Sequence, residues 1–302
     1  MSFLTIILTF MLHYYLPNRE ADPFYTRVLT YAHKIIFNLS IKNYAPLWQW
    51  ILLALLPALL IATAFHALTS ISMILGLMFN VFILYLTLNI YRLNDGAKQI
   101  LSSLEHQQLE DARIALSHWL TLNASEYSEQ QIIKKAIEES LVQAHYQWYA
   151  PLFWFIVSAF LGLGAAGVVL YRFTEFLTSK ANSGIAAKIA YYLNTPSIKL
   201  SAWGYAIVGD FEDALYCWRE QASSWHNHHH GILLSAGAGA LEVKLGGNLR
   251  TSSEEQLRPE LGLGDEADID YLKSAIGLIW RVLILMTSIL LLLTFAYWLG
   301  AR

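Results

Sequence analysis

Charge and cysteine are what this sequence has least of. Only 14% of its 302 residues are Asp, Glu, Lys or Arg, far below the quarter expected of a soluble domain. With 56% hydrophobic residues beside them, a chain folded wholly in water is excluded and a bilayer is implied. Twenty Lys+Arg against 23 Asp+Glu leave a net charge of -3, which excludes the basic footprint of a nucleic-acid binder. Cys217 is the lone cysteine, so neither an intrachain disulfide nor a Cys-based zinc cluster can form. The apolar run Ser2 to Met11 has no basic residue before it and no small-residue cleavage site before His13, Tyr14 and Tyr15. It is therefore read as mature protein and not as a removable signal.

A helix needs about 20 apolar residues to cross the hydrocarbon core. Four segments have that length: 48–68, 70–91, 149–171 and 278–299. Aromatic residues that favour the headgroup layer mark their ends, among them Trp48, Trp50, Tyr91, Trp148, Tyr149, Tyr297 and Trp298. The first two spans are separated only around Thr69 and should form a helical hairpin, with Pro57 kinking the first. A fifth, more polar span is read at 185–208, interrupted by Lys188, Asn194, Pro196 and Lys199. Charge supports it: five crossings place residues 1–47, 92–148 and 209–277, with 4, 5 and 5 Lys+Arg, on one side. The positive-inside rule makes that side the cytoplasm. Ser2 to Leu16 fits an interfacial or re-entrant helix as well as a sixth crossing. The fold expected is an all-α integral membrane bundle, one unit over 1–302, with cytoplasmic helical segments at 92–148 and 209–277.

Within 92–148 the pattern is helical from end to end, broken at Asn123 to Ser128, with Ser128 and Gln131 spaced as a capping box. A helix is expected from Asp210 to about Trp225, and 231–267 reads as Gly-rich, acidic and partly loop. His226, His228, His229 and His230 form a loop cluster that either binds a metal loosely or is a solvated run. Gly237, Gly239, Gly246 and Gly247 could bring backbone amides to a phosphate or serve as flexible turns. Asp265 to Asp268 resembles a helicase box only in its letters, because no P-loop accompanies it. Glu138 and Glu139 stand before the third span, either lining a polar entrance or facing solvent. Arg172 and Glu175 are spaced to pair on one helix face. His66 needs a partner in lipid, with Asn80 and Asn89 the candidates.

The order of segments carries a resemblance. Glu110-Asp111-Ala112-Arg113-Ile114-Ala115-Leu116 leads through Ala136-Ile137-Glu138-Glu139-Ser140-Leu141 into Ala150-Pro151-Leu152-Phe153-Trp154. Leu170-Tyr171-Arg172 and Gly209-Asp210 follow, then Ala238-Gly239-Ala240-Leu241, Leu245-Gly246-Gly247 and Arg258-Pro259-Glu260-Leu261-Gly262. Over nearly the whole chain this resembles the CobD/CbiB family, related to the AmpE regulators of β-lactamase induction. The resemblance implies a multi-pass protein of the bacterial inner membrane, acting in cobalamin (adenosylcobinamide) biosynthesis. The family's synthase joins a corrinoid carboxylate, that of cobyric acid, to an amino alcohol or its phosphate, using ATP and Mg²⁺. The implied partners are the lipid bilayer and a corrinoid substrate or other cobalamin-assembly proteins.

Several acids of the synthase pattern are replaced. In the family run Glu-Ser-x-x-Glu-Asn-x-x-Asp-Gly, Glu138 matches the first acid, but Val142, Gln143 and Tyr146 stand where Glu, Asn and Asp are expected. The pattern after the third span is met by Tyr171 and Arg172 only; Ala190 and Tyr191 replace paired acids, and Pro196-Ser197-Ile198-Lys199-Leu200 stands for Pro-Ala-Arg-Leu. Carboxylates are the natural Mg²⁺ ligands, so the resemblance is to a divergent synthase relative or to a non-enzymatic AmpE-type regulator. The ligand-binding residues it implies are Glu138, Tyr171, Arg172, Gly246, Gly247 and Arg258, with no resident metal site.

Overall fold

Helices dominate the computed structural model, which describes residues 2–16, 31, 34, 38, 46–88, 90–181, 184–250, 255–256 and 258–300. In chain order the helices are α1 (Ser2–Tyr15), α2 (Pro46–Trp50), α3 (Leu56–Ile71), α4 (Met73–Thr87), α5 (Ile90–Glu105), α6 (Leu109–Leu120) and α7 (Glu129–Ala144). They continue with α8 (Ala150–Phe160), α9 (Ala166–Ala181), α10 (Gly184–Val208), α11 (Phe211–Gln221) and α12 (His228–Leu241). Five short strands follow: β1 (Val243–Gly246), β2 (Leu249–Arg250), β3 (Glu255–Gln256), β4 (Glu260–Leu261) and β5 (Asp265–Glu266), and then α13 (Ile269–Gly300). The protein is nearly all-α; the strands are an addition to the all-helical expectation. They pair in the order β4-β1-β5, with a separate β2-β3 ribbon.

Among the described residues two helices are long and apolar enough to cross a membrane, Leu47–Ile71 and Ile269–Ala296. The first runs through Pro57 without a break because a π turn, Ile51–Leu55, precedes it. Proline has no N–H and its ring crowds the carbonyl four residues back. The wider turn absorbs that conflict, as the Leu56 N–H reaches Ile51 O. The segment expected at 70–91 is instead the 15-residue α4. Ser72 adopts an extended backbone and caps it, accepting from Ile74 N at 3.2 Å, so the hairpin turns at Ser72 and not at Thr69. The segment 149–171 is not one helix. It breaks at residues 161–165, where Gly162 and Gly164 have φ of +77° and +57°. The weak span at 185–208 is a continuous helix that contains Pro196.

The chain divides into two compact units, each discontinuous in sequence. One holds Met1–Tyr91 and Ala150–Pro196. Here the break between α8 and α9 is held by Asn80, whose Oδ1 accepts from Ala165 N at 3.0 Å, while Ser158 Oγ donates to Gly164 O at 2.7 Å. Asn80 was a candidate partner for His66; the turn takes it instead, and Asn89 lies outside the described residues. Ala58, Ala62 and Ala166 form one small-residue core patch; Leu53, Ala54, Leu177 and Ala186 form another.

The second unit holds Arg92–Tyr149 and Ser197–Arg302. Its core includes Leu116, Ile132, Ile137, Leu141, Trp148, Tyr149 and Tyr205, all at most 1% exposed. Two buried tyrosines satisfy helix carbonyls: Tyr149 donates to Ile279 O and Tyr205 to Leu141 O, each at 2.8 Å. The capping box is present, with Ser128 Oγ accepting from Gln131 N and Gln131 Oε1 from Ser128 N. A further break falls at residues 106–108, where Gln107 has φ of +58°. The glycine-rich stretch is largely the buried helix α12. A side chain on Gly239 would strike Asp213 O and one on Gly237 would strike Leu141, so these glycines let helices touch and are neither loop nor phosphate cradle. The acidic letters at 265–268 are strand and cap: Asp268 Oδ1 accepts from Asp270 N and Tyr271 N.

Candidate functional site

Helix α7 presents Lys135, Glu138, Glu139 and Val142 along one stripe, since residues three and four apart share a helix face, and Tyr146 follows in a π turn, His145–Tyr149. Glu138 is not a solvated charge: it is 2% exposed. Arg258 meets it with two bonds, Nη1 to Oε2 at 2.6 Å and Nη2 to Oε1 at 3.1 Å. Gly246 N donates to the same Oε1 at 2.9 Å, and Arg258 Nε donates to Gly247 O at 3.1 Å. The guanidinium also lies 5.4 Å from the ring centre of Trp225, within cation–π range. Both glycines are required by conformation, with φ of +75° and +77°. At Gly246 a side chain would also strike Pro259 O.

Four sequence-predicted site residues, Glu138, Gly246, Gly247 and Arg258, are therefore brought together. Arg258 is not left free for a ligand, because its guanidinium is paired with Glu138. Tyr171 and Arg172 belong to the other unit. There Tyr171 donates to Asn194 Oδ1 at 3.0 Å, Asn194 Nδ2 donates to Glu175 Oε1 at 2.6 Å, and Arg172 Nε donates to Thr87 O at 2.7 Å.

Around the ion pair lie groups that sequence spacing did not connect. Lys135 Nζ stands 3.9 Å from Glu138 Oε2 and 3.6 Å from Glu139 Oε2. The Tyr146 ring packs edge-on to His230 at 5.8 Å. The histidine run is not all loop: Asn227 caps α12, accepting from His229 N and His230 N, so His228, His229 and His230 form the first helical turn and His226 precedes the cap. His229 is buried, and burial, with His228 and His230 adding repulsion, pushes its pKa down to about 4. Burial lowers His230 as well, although Glu139 opposes the shift.

The residues on this stripe do not fit Mg²⁺. Both oxygens of Glu138 are engaged by Arg258 and Gly246, the Glu139 carboxylate is taken by Gln143 and Lys135, and Val142 and Tyr146 offer no carboxylate. Among the described residues no three His, Cys, Asp or Glu converge as a metal site.

A family model described as CobD/Cbib protein matches residues 24–279. The chain belongs to the CobD/CbiB family. It is 33% identical to "Cobalamin biosynthesis protein CobD" of Stutzerimonas stutzeri (strain A1501) over 258 residues, 82% of this chain and 81% of that one. The protein of the same name from Chromobacterium violaceum is 30% identical over 224 residues, 69% and 70% of the two chains. That of Mycobacterium tuberculosis is 27% identical over 193 residues, 60% and 61% of the two chains. No solved structure matches. These relatives place the chain on the cobalamin side of the resemblance and give the AmpE-type reading no support.

Proposed function

We propose that this protein works in cobalamin biosynthesis as a multi-pass protein of the bacterial inner membrane, a divergent relative of the ATP-dependent synthase that joins a corrinoid carboxylate to an amino alcohol. The observation that carries the reading is the family match over residues 24–279 together with a relative 33% identical across four-fifths of both chains. The ligand surface we assign to the frame made by Glu138, Gly246, Gly247 and Arg258, with Lys135 as its most accessible cation; its side chain is 22% exposed against 9% for Arg258. Tyr171 and Arg172 enter only through the family pattern. No step is routed through Mg²⁺ at this stripe, because the carboxylates for it are replaced.

The five-span arrangement is part of this proposal. Its support is that residues from 92–148 and 209–277 pack within one unit, through Glu138 with Arg258 and through Lys134 Nζ to Glu266 Oε2 at 2.7 Å. Two segments so joined share one side of the bilayer. A reporter fused after Leu249 should read cytoplasm and one at Arg302 periplasm; a periplasmic signal at Leu249 refutes the arrangement. Function is tested by complementing a strain that lacks the cobinamide-forming synthase, and by measuring corrinoid and ATP binding on the purified chain. Restored amide formation establishes a working synthase. Corrinoid binding without turnover leaves an accessory role in corrinoid assembly, and failure of both refutes the reading.

A further inference from the structure

Helix α13 changes character at Arg281. Before it, Asp270 is exposed and Lys273 Nζ lies 2.9 Å from Glu105 Oε1. After it, exposed side chains include Ile284, Ile289, Leu292, Phe295 and Leu299. From Val282 to Leu299 is roughly 18 residues, or about 27 Å of helix, close to the thickness of a hydrocarbon core. Arg281 therefore marks the water boundary of this span. Its Nη1 donates to Val208 O, at the last residue of α10, at 3.3 Å, so the end of α10 lies at the same level.

An aromatic cluster sits beside that end. The Trp203 ring is 6.0 Å from Phe211 and 6.2 Å from Trp218. Trp203, Ile207 and Phe211 are 43%, 54% and 48% exposed. Phe211 and Trp218, seven apart on α11, share a face. A second face carries Ala214 and Cys217, both fully buried, and Glu220 is exposed on the side away from Phe211. A helix with one packed, one aromatic and one polar side, set at the water boundary of a span, has the pattern of an interfacial helix. Such a patch of rings costs free energy in water, whereas indole and phenyl groups favour the headgroup layer. Lys199, exposed one turn before Trp203, has a stem long enough to bring its ammonium to the same level.

We propose that α11 lies on the membrane, with Trp203, Ile207, Phe211 and Trp218 seated in the lipid headgroup layer and Glu220 in water. Residues 209–221 are then an anchor on the bilayer surface and not part of a freely solvated segment. The inference rests on the membrane reading of α13, so one probe is placed there.

The test uses the full chain in phosphatidylcholine–phosphatidylglycerol vesicles, with Cys217 replaced by Ala and a single nitroxide placed by Phe211→Cys, Ile207→Cys, Glu220→Cys or Ile289→Cys. Collision with oxygen, which concentrates in lipid, is compared with collision with a water-soluble nickel chelate. The oxygen-to-nickel ratio should be several-fold higher at 211 and 207 than at 220, and highest at 289. Equal ratios at 207, 211 and 220, with 289 in lipid, overturn the proposal alone. A water-exposed 289 overturns the membrane reading and the proposal with it. Label-to-label broadening at 211 assigns the patch to a second copy of the chain instead and likewise overturns it. Ile207→Cys removes an exposed side chain, so its outcome stands even if Phe211→Cys does not fold.

Discussion

The Glu138 carboxylate and the Arg258 guanidinium, 120 residues apart, meet through two hydrogen bonds, with side chains only 2% and 9% exposed. Such a pair is costly to break on one side only, because the survivor is left buried and charged; about 3–5 kcal/mol is typical. Glu138→Ala and Arg258→Ala should therefore each lower the unfolding temperature of the detergent-solubilised protein strongly. The double variant Glu138→Leu with Arg258→Met should recover part of the loss, since no lone charge remains. A single-variant cost under 1 kcal/mol, or a double variant as unstable as the sum of the two, would contradict a buried pair. Ligand affinities for Arg258→Ala then need correction for the folded fraction.

The His229 shift predicts an acid-sensitive fold. The folded imidazole stays neutral down to about pH 4 while the unfolded one takes a proton near 6.5, so between these values the unfolded state binds more protons. Stability therefore rises with pH across that window and falls as the solution is acidified through it. A loss on the order of 1–2 kcal/mol between pH 6.5 and 4 is expected. His229→Gln should flatten that slope, whereas the exposed His226 and His228 should tolerate Asn without effect. A slope unchanged in His229→Gln sinks the assignment.

Much of this organisation is legible in the sequence, and the failures have physical causes. Periodicity found α7, apolar runs and the charge balance found α10 and the hydrophobic part of α13, and the Ser128–Gln131 spacing found a real capping box. It misjudged 149–171, because the break at Gly162 and Gly164 depends on Asn80, about 80 residues away, supplying an acceptor for the turn. It misjudged the glycines at 237 and 239 because close helix contact and loop flexibility demand the same residue. The partnership of Glu138 with Arg258 joins two segments whose local patterns contain no trace of each other. The family pattern flagged both residues, but not that they neutralise one another.

Cys217 offers a simple test of packing in the second unit. It is fully buried, and burial first, then the nearby Asp213, pushes the thiol up to about 11. Since the thiolate is the reactive form, a maleimide should label Cys217 far more slowly than a denatured control, in lysed and intact cells alike. Its silence in intact cells is therefore no evidence of topology. Rapid labelling of the native protein would show that α11 and α12 are not packed as described.

The break between α8 and α9 rests on two side-chain hydrogen bonds, one made by Asn80 and one by Ser158. Asn80 Oδ1 is the acceptor for the buried Ala165 N–H; without it that donor has no water to turn to. Asn80→Leu should cost about 1–3 kcal/mol for the orphaned group, while Asn80→Asp keeps an acceptor and should cost less. Gly164→Ala should be worse than an ordinary glycine replacement. Its φ is +57°, and the added methyl would lie 2.6 Å from the Phe65 ring and 2.8 Å from Asn80 Oδ1. Gly162, also at positive φ but with nothing within 4 Å, should lose only the conformational part, roughly 1 kcal/mol. Thermal unfolding of the four variants checks the ranking, and Gly162→Ala proving as damaging as Gly164→Ala would show that the contact with Phe65 and Asn80 is not what constrains the turn.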